Sequence, residues 1–363
     1  MKIRHAATML ALLLGGTAAT NAQMPAPAAA PTPAEMRARQ AELDKTYAKL
    51  DVVKDEYMQL SIPGYTMGQT MGVATNSKGH LFVYSRSNPQ GIARGGAAAM
   101  LWEFDQNGKY VKEWGPHNYA ASFAHGVRVD AHDNVWQVDE GSGMIVRYDP
   151  KGQQNFWLGR TPEAIDYLEA NLEILKTAHP TVAFNRRPVG RKGEFGRETD
   201  VAFDSEGNIF VPDGYENSRV VKISPDGHWL KMLGTFGSGQ DQFNTPHTIA
   251  VDAQNNVYVG DRGNYRIQVY DNNLNYKRTI TGIGAPWALC ITQGPTQYMF
   301  SGDGNGNLYK MDMTGKVLGM TVTGQDHGAE DTGDLIHSLD CRSPNLVYIG
   351  SASMFDVQKL VLK

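Results

Sequence analysis

The sequence predicts an all-β protein, a six-bladed β-propeller preceded by a signal peptide, a linker and a short helix. Three observations predict it. A unit of four short apolar stretches, separated by Gly/Asp/Asn turns, recurs at a period of about 40 residues or slightly more. Within each stretch apolar and polar residues alternate with period two, as in a half-buried strand. The composition, 39 glycines and only 20% charged residues, fits a turn-rich β chain of 363 residues.

The N-terminal elements come first. A basic start, MKIRH, is followed by the apolar core MLALLLGG and the small-residue site Thr20-Asn21-Ala22. This is the pattern of a cleaved signal peptide over 1–22 and implies a secreted or periplasmic protein. The apolar run is too short to span a bilayer. Residues 23–55 read as a Pro/Ala linker, PAPAAAPTPAE from Pro25, and a charge-rich exposed helix over Ala34–Lys54.

The propeller is expected over 56–363. The first blade begins near Met71. The second reads HGVRVD, VWQVD, MIVRYD and QQNFWL; the third TDVAFD, IFVPD, RVVKIS and HWLKML; the fourth HTIAVD, VYVGD, RIQVYD and YKRTI. The fifth and sixth begin at Trp287 and His337 and are weaker copies. The sixth runs out of chain after three strands, and Tyr57-Met-Gln-Leu-Ser-Ile is the expected fourth. Closure by both ends removes exposed sheet edges.

A segment at 159–197 interrupts the repeat between the second and third blades. TPEAIDYLEANLEILKTA has helical apolar spacing, and a basic stretch, NRRPVGRKGEFGR, follows. It reads either as a surface decoration or as a lid at the channel mouth. Cys290 and Cys341 occupy nearly matching positions in neighbouring blades. Ordinary core usage favours two buried free thiols, and an oxidising compartment leaves a disulfide open. The net charge of −4 comes without a basic run that would suggest nucleic acid or an anionic membrane as partner.

The innermost strand of every blade lines the channel, so one repeat position forms one ring. From first blade to sixth that ring reads Met71, His125, Thr199, His247, Trp287, His337. The histidines come from alternate blades and would meet at the axis. Three imidazoles with a coordination position left open are the pattern of a catalytic zinc site.

These motifs resemble a known family. AHGVRVD, VPDGYENSRVVKISPDG, FNTPHTIAVD and GDRGNYRIQVYD are similar to NHL-repeat propellers, and more closely to the peptidylamidoglycolate lyase domain of the peptidylglycine α-amidating monooxygenases. The resemblance covers about Gly68 to Ile349. It implies zinc on His125, His247 and His337, a catalytic Tyr215 in Asp213-Gly214-Tyr215-Glu216-Asn217-Ser218-Arg219, and substrate-binding arginines Arg86 and Arg262. It also implies a structural calcium on the carbonyls of Val73 and Val127, with an acidic third ligand whose position is Ser338 here. The family's Met before the third histidine is Leu335, and its Cys after the tyrosine is Glu216. The implied reaction splits a peptidyl-α-hydroxyglycine into a peptide amide and glyoxylate. Arg86 would fork onto the substrate carboxylate, and Tyr215 would take the hydroxyl proton.

Two other classes stay open: a non-catalytic NHL propeller that binds a peptide or protein, and a calcium-dependent lactonase. The second needs carboxylate and Asn oxygens around a hard cation. Met71, Thr199 and Trp287 supply none at the ring. The expected partner is thus a small molecule or peptide.

Overall fold

In a computed structural model of the 363-residue chain, residues 31–87, 99–159, 192–324 and 334–363 are described. The expected signal peptide and the expected helix within 159–197 lie outside them. The chain divides into Met1–Thr32 and a compact unit, Pro33–Lys363.

The larger unit is a six-bladed propeller. Six four-stranded antiparallel sheets follow one another along the chain. Blade 1 runs Gln69–Thr75, Leu81–Arg86, Met100–Phe104 and Tyr110–Trp114; blade 2 begins at Ala124–Val129, blade 3 at Ala202–Phe203, blade 4 at Pro246–Val251, blade 5 at Ala288–Ile291 and blade 6 at Ile336–Ser343. Six apolar clusters glue the ring, one between each pair of neighbouring blades. Phe82 and Val146 meet between blades 1 and 2, and Val73 and Val357 between blades 1 and 6. Burial of these faces is what makes a blade stable only in company.

The turns follow from the sequence chemistry. In the repeated Asp-x-x-x-Asn turn, Asp204 Oδ1 accepts the amides of Glu206 and Asn208, and Asp252 does the same for Gln254 and Asn256. One residue of each turn needs positive φ: Gly207 (80°) supplies it in blade 3 and Asn255 (61°) in blade 4.

Both ends of the chain close the ring, but the closing strand differs from the expected one. It is Val52–Tyr57, which pairs antiparallel with Gln358–Leu362 at the outer edge of blade 6. An outer edge strand is mostly exposed, so Lys54, Asp55 and Glu56 are tolerated and apolar alternation is absent. The apolar spacing of Met58, Leu60 and Ile62 has another cause: these residues cover the cluster between blades 1 and 6. The helix is also shorter than expected, Pro33–Asp44, and buries none of its residues. Beyond it, Tyr47 Oη donates to the Gly282 carbonyl and Leu50 N to the Met320 carbonyl, so this stretch follows the outside of blade 5.

Cys290 and Cys341 form a disulfide, with Cα atoms 5.9 Å apart, and not two free thiols. Blades 5 and 6 are neighbours, so the two inner strands bring the cysteines within bonding reach. The bond staples the ring next to the blade that both chain ends complete.

Candidate metal centre and channel mouth

His125, His247 and His337 converge, as their common repeat position requires. Their candidate ligand atoms lie within 4.8 Å of one another, and all three rings are buried. The backbone aims them. In blades 2, 4 and 6 the pairing register skips at the histidine: between Ala124 and Gly126, Pro246 and Thr248, and Ile336 and Ser338. Each histidine is therefore the extra residue of a β-bulge, a device that re-aims one side chain without moving the strand.

The other three ring residues hold the imidazoles. His125 Nδ1 is 2.5 Å from the Thr199 carbonyl, His247 Nδ1 2.7 Å from that of Trp287, and His337 Nδ1 2.8 Å from that of Met71. A carbonyl only accepts, so each Nδ1 carries the proton and each Nε2 keeps its lone pair. Orientation of a ligand histidine by a carbonyl on its far nitrogen is the usual outer-shell arrangement of metal sites. The donor set fits zinc: three neutral, buried, pre-oriented nitrogens.

Burial holds the histidines neutral. Desolvation lowers all three pKa values, Arg86 or Arg262 acts the same way on each, and neighbouring histidines do so on His125 and His247; that of His337 falls to about 3. The sign follows from linkage. Below pH 6.5 the unfolded chain takes up a proton at each histidine and the folded chain does not, so stability falls as pH falls from that point towards the folded pKa. His337→Gln should therefore make the metal-free protein less acid-sensitive. The loss of unfolding free energy between pH 7 and 5.5 should shrink by about 1 kcal/mol, as read by urea denaturation at both pH values. An unchanged pH slope would contradict a neutral buried His337.

Tyr215 stands over the triad. Its hydroxyl is 3.0 Å from His247 Nε2 and 3.3 Å from His125 Nε2. The hairpin that carries it is rigid. Asp213 accepts from the amides of Gly196 and Arg197 and from the side chains of Asn217 and Arg219, and both Asp213 and Arg219 are fully buried. Gly214 is needed just before it, because a Cβ there would sit 2.0 Å from the Pro246 carbonyl oxygen.

Two arginines flank the tyrosine, and a third, Arg86, lies close enough to lower the pKa of His125 and His337. Arg262 Nη1 is 3.3 Å from Tyr215 Oη, and its guanidinium stacks on Trp287, 4.0 Å from the ring centre. Arg197 packs over the Tyr215 ring at 5.0 Å. Arg86 is tied down: Nε donates to the Ala124 carbonyl at 3.0 Å, the plane stacks on Phe123 at 3.5 Å, and Nη2 is 3.5 Å from Glu140. The sequence reading brought in Arg86 and Arg262 and missed Glu140 and Arg197. Glu140 carried a signal. It holds, just after the second strand of blade 2, the repeat position that Arg262 holds after that of blade 4 and Arg86 at the end of that of blade 1.

Calcium does not fit. Ser338 Oγ is buried with no hydrogen-bond partner among the described residues, and brings no charge. Val127, Ser338, Arg128 and Asp200 line one small cavity beneath the histidines. Arg128 grips the Asp200 carboxylate with Nε (2.8 Å) and Nη2 (2.6 Å), and also donates to the carbonyls of Leu339 (2.9 Å) and Leu289 (3.2 Å). The Arg128 guanidinium thus takes two carbonyls and the Asp200 carboxylate, and its charge would repel a second cation nearby. The calcium that the resemblance implies on the carbonyls of Val73 and Val127 would lack its acidic third ligand, whose position is Ser338.

Comparisons with known proteins point to the same repeat and fold. The sequence profile of the NHL repeat matches residues 243–270. The chain is 29% identical over 252 residues to the mouse NHL repeat-containing protein 3, covering 66% of this chain and 61% of that protein. It is 25% identical over 239 residues to a Caenorhabditis elegans protein described as a probable peptidyl-α-hydroxyglycine α-amidating lyase, covering 61% of this chain and 60% of that one. The chain thus spans under two thirds of the length of these relatives. Among solved structures, a virginiamycin B lyase from Staphylococcus aureus superposes with a TM-score of 0.53 at 12% identity, covering 85% of this chain and 99% of that one, a likeness of fold.

Proposed function

We propose that this chain is an exported, zinc-dependent lyase that cleaves a carbinolamide, a peptidyl-α-hydroxyglycine, to a C-terminal amide and glyoxylate. One observation carries the reading: a tyrosine hydroxyl sits within hydrogen-bond reach of two of the three converging Nε2 atoms and of Arg262. The similarity to an α-amidating lyase supports it. Export is supported by the leader-like N-terminal sequence and by the Cys290–Cys341 bond, which suits an oxidising compartment.

His125, His247 and His337 would hold the zinc. When bound, the metal would supply Lewis acidity, making a hydroxyl beside it easier to deprotonate. As its phenolate, Tyr215 Oη would accept the carbinol O–H proton. The electron pair released from that bond forms the aldehyde C=O of glyoxylate, and the C–N bond breaks. The amide nitrogen leaves with its electron pair and takes a proton back from Tyr215 Oη. Atoms and charge balance without a co-reactant. Arg262, hydrogen-bonded to Oη and stacked on Trp287, steadies negative charge that passes through the oxygen. The arginines around the pocket suit a substrate that keeps its carboxylate.

The test is direct. The zinc-loaded protein is expected to convert α-hydroxyhippurate to benzamide and glyoxylate. Both products are followed by chromatography against the slow spontaneous reaction. A zinc-loaded, folded protein that produces no glyoxylate above that background would remove the lyase reading and leave a binding propeller.

A further inference from the structure

We propose that Glu140 is a specificity residue that sets how tightly the channel mouth binds carboxylates, by occupying the anion position between Arg86 and Arg197. The inference rests on the reading of this pocket as the carbinolamide site and assigns it a determinant that lies in this chain's own residues.

Glu140 is 3% exposed and uses both oxygens. Oε1 forms an ion pair with Arg197 Nη2. Oε2 lies 3.5 Å from Arg86 Nη2 and 4.0 Å from His125 Nε2, the nitrogen that faces the metal position. A carboxylate oxygen next to the metal-facing nitrogen and two guanidiniums is where the carboxylate of a hydroxyglycine, or of glyoxylate, would be drawn. Glu140 is therefore a competitor built into the wall. It holds Arg86 and Arg197 in place and offsets their charge.

The remaining arginine is different. Arg262 faces Tyr215 and Trp287, and its described contacts include no carboxylate. Glu198 is fully buried, and burial pushes its carboxyl above the usual carboxylate range. Glu140 is the carboxylate placed on both Arg86 and Arg197, while Arg262 stands at Tyr215. In a buried pocket, removing one charge alters the affinity for an anion several ångströms away by about ten-fold or more.

The two neighbours make opposite predictions, which a scaffolding role does not. Glu140→Gln keeps the shape and removes the competing charge. Arg197→Gln removes a positive charge and leaves Glu140 in place. The probes are hippurate, which has the carboxylate and amide but no carbinol hydroxyl, and glyoxylate. Binding is measured by titration calorimetry on zinc-loaded and on metal-free protein, with zinc content and unfolding midpoint as controls. E140Q is expected to bind both probes about ten-fold more tightly than the parent, and R197Q about ten-fold more weakly. Unchanged or weaker binding by a folded E140Q overturns the proposal. If E140Q does not fold, R197Q decides: unchanged or tighter binding overturns it. No carboxylate binding by parent and variants overturns it as well. Carboxylate binding with the predicted signs, but no turnover of α-hydroxyhippurate, supports the role of Glu140 and removes only the lyase reading.

Discussion

Tyr215→Phe is expected to lower turnover of α-hydroxyhippurate by about 10²–10⁴-fold while zinc and fold stay in place, the usual cost of losing a positioned proton carrier. The substitution is clean because the ring's packing does not depend on the hydroxyl. Tyr215 meets His125 and His247 edge to face, at 5.5 and 5.7 Å between ring centres, and lies between the guanidiniums of Arg197 and Arg262, at 5.0 and 5.2 Å. Phenylalanine keeps those contacts. It loses the oxygen that reaches His247 Nε2, His125 Nε2 and Arg262. The loss should fall on kcat and on kcat/KM together, since the proton transfer belongs to the transition state. Parent-like rates in the variant would show that Tyr215 carries no proton in the reaction.

Arg128→Met is expected to cost about 3–5 kcal/mol of stability, the range for removing one partner of a buried ion pair. The figure suits this site because the side chains are mostly covered, 18% exposed for Arg128 and 6% for Asp200. The pair also ties five blades together. Arg128 comes from blade 2, Asp200 from the entry to blade 3, the Thr248 hydroxyl and Ile249 amide of blade 4 donate to Asp200, and Leu289 and Leu339 of blades 5 and 6 offer carbonyls to Arg128. Denaturant unfolding of R128M, D200N and the double variant measures the coupling. The second substitution should cost much less once the first is made. Calcium should not stabilise the parent, because the Arg128 guanidinium holds the Asp200 carboxylate and Ser338 supplies no acidic ligand. Loss under about 1 kcal/mol in R128M would contradict the role of the pair as the channel's hub.

The fold and the convergence of the three histidines were legible in the sequence for one physical reason: a closed repeat turns sequence register into a ring. His125, His247 and His337 share a register and meet. The same register held signals left unread. Three residues after the ring position the blades carry Ala74, Arg128, Ala202, Ala250, Cys290 and Asp340, so the one cation of that layer stood out among small residues. Its meaning depended on Asp200, which lies one residue after the ring position in a different blade. Glu140 shared the register of Arg86 and Arg262, and its partner Arg197 ended a basic stretch that read either as surface decoration or as a lid. The bulges that aim the histidines left no mark in composition. The closing strand was misplaced because an exposed edge strand needs no apolar alternation, whereas Met58, Leu60 and Ile62 are apolar as cover for an interface and not as a strand. The disulfide was an open alternative that ordinary core usage argued against; adjacency of two inner strands decided it.

Three bulge-aimed histidines should make one zinc site at the channel mouth. The most direct measurement is the metal content of purified, zinc-titrated protein beside that of His247→Ala, with circular dichroism to show that both are folded. The account predicts one zinc per chain in the parent and loss of tight binding in the variant, because two nitrogens are too few to hold the ion. A folded parent that takes up no zinc, or a His247→Ala variant that holds it as tightly as the parent, would contradict the account.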